Sequence, residues 1–336
     1  MINELIMISR LLRVSGVIVA LVWAVSALAS GERGGDLTAG PSGAMREPGS
    51  TLPLGRPKAM AQSVSGSKRL YVATEIGLFT SDDKGYHWDR LRFAPLRNGD
   101  VLTLAIHPLH EGHLFIGGRG GLWKSLDGGG SWKSLSTPTG TRSAIRSIAV
   151  APTAPETIYI GTDQEGVFRS PDGGSFWSPA GQGLPEALAG GRVAPIRSLA
   201  IDPTNASIAY ASTELHGLYK TTDGGTSWAA VNQGLGLFPL PWRAGSPSIV
   251  ISHVDPRQMM AMLPRPLHSR LVKTFVYQSS DGGKHWFALE VEVPPDTQGV
   301  TLAEDPADPK HVMLLTTKGA IQIQWQPIAG TGNTGP

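Results

Sequence analysis

The sequence predicts an all-β fold, a β-propeller of four-stranded blades, and three observations carry that prediction. The first is an eight-residue signature, S/T-x-D-x-G-x-x-W, that occurs five times: Ser81–Trp88, Ser125–Trp132, Ser170–Trp177, Thr221–Trp228 and Ser279–Trp286. The second is its period: the signature aspartates fall 44, 45, 51 and 58 residues apart, and repeats of roughly 40–50 residues built from short strands indicate propeller blades. The third is the chain between copies, which is short, β-branched or aromatic, and cut by Gly and Pro.

Each element follows in order. The carboxylates of Asp83, Asp127, Asp172, Asp223 and Asp281 are expected to accept hydrogen bonds from backbone N–H groups two residues on, with glycines supplying positive φ. Trp88, Trp132, Trp177, Trp228 and Trp286 begin the return strand and bury a large apolar surface. An inner strand A is read in VLTLAIHP, IRSIAVAP, IRSLAIDP, IVISHVDP and VTLAEDP; strand B in LFIGG, IYIGT, AYAST and VMLLTT; strand C after Gly77, Gly121, Gly166 and Gly217. The signature then closes C onto D. Four blades are complete; the first copy has only B, C and D, from Arg69 to Leu91, and the last segment only A, B and C, from Gly299 to Trp325. If the stretch before Arg69 supplies missing strands, the ring closes at six blades with no free edge; five to seven fit the count.

These five motifs resemble the Asp-box, or BNR, repeat of sialidases, xyloglucan-cleaving glycosidases, sortilin-type receptors and photosystem II assembly factors. The likeness extends over roughly residues 60 to 326. It implies the fold and leaves activity open. In those families the Asp-box lies at the outer corner of a blade, so the resemblance marks the five aspartates as structural. The Asp-Pro turns at Asp202-Pro203, Asp255-Pro256 and Asp305-Pro306 look more like the generic secreted type than the photosystem type.

A length of 336 residues, 40% of them hydrophobic, suffices for one large β domain, read as residues 59–326. A formal charge of +2, without a basic stripe, argues against nucleic acid as a partner. The absence of cysteine excludes disulfides, thiolate catalysis and Cys-metal sites. Arg10 and Arg13 precede an apolar run from Val14 to Ala29 that ends in Ala27-Leu28-Ala29, so residues 1–29 read as a signal peptide. A periplasmic or secreted monomer is expected, with an uncleaved membrane anchor as the alternative. Residues 30–58 read as a flexible Gly/Pro-rich linker and 327–336 as a disordered tail.

Loop lengths choose a face. The long connections are Gly181–Pro195 and Asn232–Pro247, between D and A, and Leu263–Lys273, between B and C. In an up-and-down blade these emerge on one side, often the binding side of a repeat protein. The last two carry Phe238, Trp242, Arg243, Arg265, His268 and Arg270, an aromatic and cationic set suited to an acidic sugar or an acidic protein surface. The plainer alternative is a plug formed by Phe238 and Trp242. Short B–C loops add Glu75, Arg119, Asp163, Gln164, Glu165, Glu214 and His216 nearer the axis.

Two carboxylates on facing loops hydrolyse a glycosidic bond when ~5–10 Å apart, which makes Glu75, Asp163, Glu165 and Glu214 the catalytic candidates; solvated rim charges are the competing explanation. Arg146 and Arg197 share a strand-A position where other copies have Leu102, Val250 and Val300. They need a partner in an apolar column, either an anion at the channel mouth or a rim acid such as Glu165 or Glu214. His107, His110 and His113 straddle Pro108 on the opposite face; no metal or cofactor is expected, because ligation needs converging ligands. Sialidase-like enzymes carry an Arg-Ile-Pro element and xyloglucan-cleaving relatives pair two propellers. Arg56-Pro57 lacks the Ile, and this chain has one propeller. The expectation is a non-enzymatic binding module for a protein or glycan, with a glycoside hydrolase as the rival.

Overall fold

The computed structural model describes residues 57–62, 69–82, 87–92, 100–139, 142–187, 192–214, 216–235, 248–263, 273–292, 299–304, 310–316 and 319–325. Six antiparallel sheets follow one another along the chain. The first holds β1 (Pro57–Gln62), β2 (Leu70–Thr74), β3 (Gly77–Ser81) and β4 (Asp89–Leu91). The second holds β5 (Val101–His107), β6 (His110–Gly118), β7 (Gly121–Ser125) and β8 (Lys133–Leu135). In the third are β9 (Ile145–Val150), β10 (Ile158–Thr162), β11 (Val167–Ser170) and β12 (Ser178–Pro179). The fourth comprises β13 (Ile196–Asp202), β14 (Asn205–Thr213), β15 (Gly217–Thr221) and β16 (Ala229–Ala230). The fifth comprises β17 (Ser248–Ile251), β18 (Met259–Leu263), β19 (Lys273–Ser279) and β20 (Phe287–Glu292). The last is three-stranded: β21 (Gly299–Glu304), β22 (His311–Thr316) and β23 (Gly319–Gln324).

The described residues therefore form five four-stranded blades and one three-stranded sheet, within the five to seven blades that the sequence allowed, of which six was the choice. The stretch before Arg69 supplies the first inner strand, β1, and among the described residues β23 is not followed by a fourth strand. Inner strands touch in chain order, β1 to β5, β9, β13, β17 and β21. Each second strand lies between two neighbouring sheets, so β2, β10 and β18 are buried at every residue. Their side chains point alternately to the two flanking blades: Tyr71 and Ala73 pack on the second blade, Leu70 and Val72 on the other side. Outer strands such as β16 are exposed.

The signatures close strands C and D at the periphery, by a bonding pattern different from the one expected. The first hydroxyl is the hub: Thr221 Oγ1 accepts from the Asp223 and Gly225 backbone N–H groups at 3.3 and 2.9 Å and donates to Asp223 Oδ1 at 2.7 Å. The carboxylate then accepts four residues on, from the Ser227 N–H at 2.9 Å and its hydroxyl at 2.6 Å. Ser125, Ser170 and Ser279 repeat the hub. Asp127 accepts from the Ser131 N–H at 2.8 Å, Asp172 from Phe176 at 2.8 Å, and Asp281 from His285 at 3.0 Å. The side chain spans a longer loop than a two-residue Asx-turn because the two glycines curl the backbone around it. Asp83 lies outside the described residues; Trp88 is buried in the first blade.

The indoles act in two ways. Trp132 and Trp177 donate to their own turns, at Gly129 O and Gly174 O, both at 3.1 Å. Trp228 and Trp286 instead donate to the preceding blade, at Ala180 O (2.6 Å) and Val231 O (2.8 Å). Their backbone N–H groups donate to Gln182 O and Gln233 O at 2.9 and 2.8 Å. The acceptors open the two long D–A connections, in matching turns Gly181-Gln182-Gly183-Leu184 and Asn232-Gln233-Gly234-Leu235. Gly183 (φ +88°) and Gly234 (φ +89°) are obligatory there, since a Cβ would stand 2.5 and 2.0 Å from the Trp228 and Trp286 carbonyl oxygens. The first part of each insertion is thus an inter-blade clamp.

Candidate functional site

The turns between second and third strands and the D–A connections share one face, because strands within a blade alternate in direction. There Arg119, Asp163 and Glu214 occupy equivalent positions. Each donates its backbone N–H to the residue that precedes the inner strand: Asp100 O at 3.1 Å, Ala144 O at 3.0 Å and Pro195 O at 3.1 Å. That bond sets the first residue of each turn beside the start of its own inner strand.

Arg146 and Arg197, second in β9 and β13, reach these side chains. Arg146 Nε and Nη2 donate to Asp163 Oδ1 and Oδ2 at 2.5 and 2.7 Å, a two-pronged pair. Arg197 Nη2 lies 2.8 Å from Glu214 Oε2, and its Nη1 lies 3.8 Å from Asp163 Oδ1. The result is one alternating chain across two blades: Arg146, Asp163, Arg197, Glu214. Arg146 pairs with Asp163 rather than with Glu165, while Arg197 pairs with Glu214 as the sequence suggested. Side-chain exposures of 19–33% keep the network in reach of a ligand yet partly shielded, where charge pairing is stronger than on an open surface.

The remaining rim residues stand around it. Glu75 and Arg119 are exposed at the turns of the first two blades. Glu165 is exposed, with its N–H donating to Thr162 Oγ1 at 2.9 Å. His216 is half-buried; its Nδ1 is enclosed with no protein hydrogen-bond partner. Arg192, from the first long connection, donates to Gln164 Oε1 at 2.6 Å and ties that loop to the rim; sequence reading missed it. Phe238, Trp242, Arg243, Arg265, His268 and Arg270 lie outside the described residues. Of the four catalytic candidates, Asp163 and Glu214 have their carboxylates engaged by guanidinium groups, an arrangement that positions charge rather than leaving a free acid and base.

On the opposite face the structure overturns one premise of the sequence reading: the rings of His107, His110 and His113 do converge. Burial, then the neighbouring imidazoles His110 and His113, push His107 below the ordinary histidine range; burial and His110 do the same for His113.

A further recurring device escaped the sequence reading. A cation on the third strand lies over an aromatic on the second and points at the next blade's signature: Lys124 over Phe115 (5.1 Å), Arg169 over Tyr159 (5.9 Å) and Lys220 over Tyr210 (5.0 Å). Lys220 Nζ and Tyr210 Oη both donate to Gly282 O, at 3.1 and 2.8 Å. The signal was present in the nine- or ten-residue spacing of these pairs.

The fold and these repeats are similar to those of Asp-box, or BNR-type, β-propellers. The family model for photosystem II assembly factor YCF48 matches residues 83–239, less than half of the chain; the photosystem-type likeness is thus stronger than the Asp-Pro turns suggested. None of the curated protein sequences matches. Among solved structures, a GH74 enzyme of Niastella koreensis is 18% identical with a TM-score of 0.59, over 79% of this chain and 44% of that one. An ancestral GH74 enzyme is 21% identical with a TM-score of 0.62, over 81% and 36%. The chain spans less than half the length of these two enzymes. YCF48 bound to D1 peptide is 12% identical with a TM-score of 0.53, over 82% of this chain and 80% of that one. At these identities the likeness speaks for the fold alone.

Proposed function

We propose that this protein is a non-enzymatic propeller that holds a segment of a partner protein at the channel mouth, gripped by the arginines of the Arg146–Asp163–Arg197–Glu214 chain. The observation that carries the reading is that both central carboxylates are committed to guanidinium pairing on the face that bears every long connection. An acidic or carboxylate-bearing peptide competes for those arginines, which present planar forks for bidentate capture. A structural neighbour of similar length that is bound to a peptide is in keeping with this use of the fold. Export through the N-terminal segment, and the aromatic and cationic residues Phe238, Trp242, Arg243, Arg265, His268 and Arg270 as an extension of the same surface, belong to the proposal. So does closure of the sheets into a six-bladed ring: Leu70 and Val72, on the face of the first blade turned away from the second, are 1% and 0% exposed.

Cross-linking and capture of partners by the purified full chain test this. Arg146→Ala with Arg197→Ala is expected to weaken capture by at least about tenfold, the order expected when a shielded charge partner is lost. Turnover on a glycoside panel, abolished in Glu214→Gln or Glu165→Gln, would replace the reading with a glycoside hydrolase; selective retention on a glycan array would make the ligand a sugar.

A further inference from the structure

We propose that His107, His110 and His113 form a binding site for a divalent transition-metal ion of the zinc class, on the face opposite the channel-mouth charges. The sequence spacing alone does not give this, since a regular strand would send His110 and His113 to opposite sides. The β5–β6 ladder is irregular at this point: Ile106 pairs with Leu114, yet His107 pairs with His110. Glu111, Gly112 and His113 are left over on β6 as a bulge, and bulges re-aim side chains. His113 thereby joins the other two rings. Ring centroids stand 4.8 Å apart for His107 and His110, 5.5 Å for His107 and His113, and 4.7 Å for His110 and His113.

Those separations suit three imidazoles radiating from one ion. With metal–nitrogen bonds of about 2.0–2.1 Å and tetrahedral angles, ligand nitrogens lie about 3.4 Å apart and ring centroids about 5.2 Å apart. The rings already bracket that value, and one ligand atom from each residue falls within 4.8 Å of the others, so modest ring rotation completes the set. Nδ1 of His107 accepts a long 3.2 Å hydrogen bond from the Leu109 N–H, a contact that a metal bond readily displaces. His107 is buried, His113 half-buried and His110 exposed, which anchors the site on one side and opens it to solvent on the other. Glu156, on the turn between β9 and β10, is an acidic group whose field reaches both His107 and His113, while its carboxylate lies against Gly173, so water is left to complete the coordination. Lys124, whose field also reaches both imidazoles, donates to Gly173 O at 3.5 Å. An all-imidazole set suits zinc, nickel and copper rather than calcium or magnesium, and the chain has no thiolate to compete.

Calorimetric titration of zinc chloride into the untagged full chain, with metal counted after equilibrium dialysis, tests the site. One ion per chain is expected, with a rise in melting temperature. His110→Ala, at an exposed position, and His113→Ala are each expected to weaken binding by at least about tenfold, since even outer-shell losses cost that much. His253→Ala, exposed in the fifth blade, is expected to change nothing. Less than one ion per chain, unchanged affinity in His110→Ala, or an equal loss in His253→Ala overturns the proposal.

Discussion

Thr221 illustrates how much one hydroxyl decides. It is 1% exposed and serves two backbone N–H groups and a carboxylate, so Thr221→Ala strands buried donors and is expected to cost about 1–3 kcal/mol. Thr221→Ser keeps the hydroxyl, as the four other copies do with serine, and should melt close to the parent in denaturant titration. The signature carboxylates also set an acid limit. Asp127 and Asp223 are held from 3.8 down to about 2, first by the hydroxyls of Ser131 and Ser227 and then by the N–H groups of the same residues. A depressed carboxylate stabilises the fold above its unfolded value and loses that contribution as pH falls through the folded one. Stability should therefore fall between pH 3.8 and about 2, with a shallower slope in Asp127→Asn/Asp223→Asn when the urea midpoint is followed against pH.

At the scale of the element, the clamp between one blade's long connection and the next blade's indole makes a sharper prediction. Trp228→Ala removes a buried ring and should cost roughly 3–5 kcal/mol by cavity formation. Gly234→Ala forces both a positive φ and a 2.0 Å approach to Trp286 O, so it should destabilise by at least about 1 kcal/mol and lower the melting temperature. The strands themselves were legible, because period, β-branching and punctuation by Gly and Pro are local properties. The face was legible too, since loop length and strand alternation fix it. The partner of Arg146 was not: Glu165 and Asp163 sit in the same turn, and only the Asp163 N–H bond to Ala144 O shows which side chain faces inward. The histidine cluster was misread for a similar reason, because a bulge changes facing without leaving a mark in composition.

For the whole molecule, ring closure is the property to test. The chain lacks cysteine, so one cysteine introduced in β1 and another in β21 give a clean reporter. Closure into a six-bladed ring predicts an intramolecular disulfide in the oxidised monomer, visible as a mobility shift on non-reducing gels. Monomers that never cross-link would mean that the first and last sheets do not meet.

The direction of the inter-blade bonds has a consequence for biogenesis. Trp228 seeks Ala180, Trp286 seeks Val231, and Lys220 and Tyr210 await Gly282, so each newly synthesised blade docks on a template already completed upstream. Propagation from the N-terminal end during translation matches the order in which the ribosome delivers the chain. The three-stranded sheet β21–β23, which lacks a signature turn among the described residues, is then the place where proteases should first gain entry.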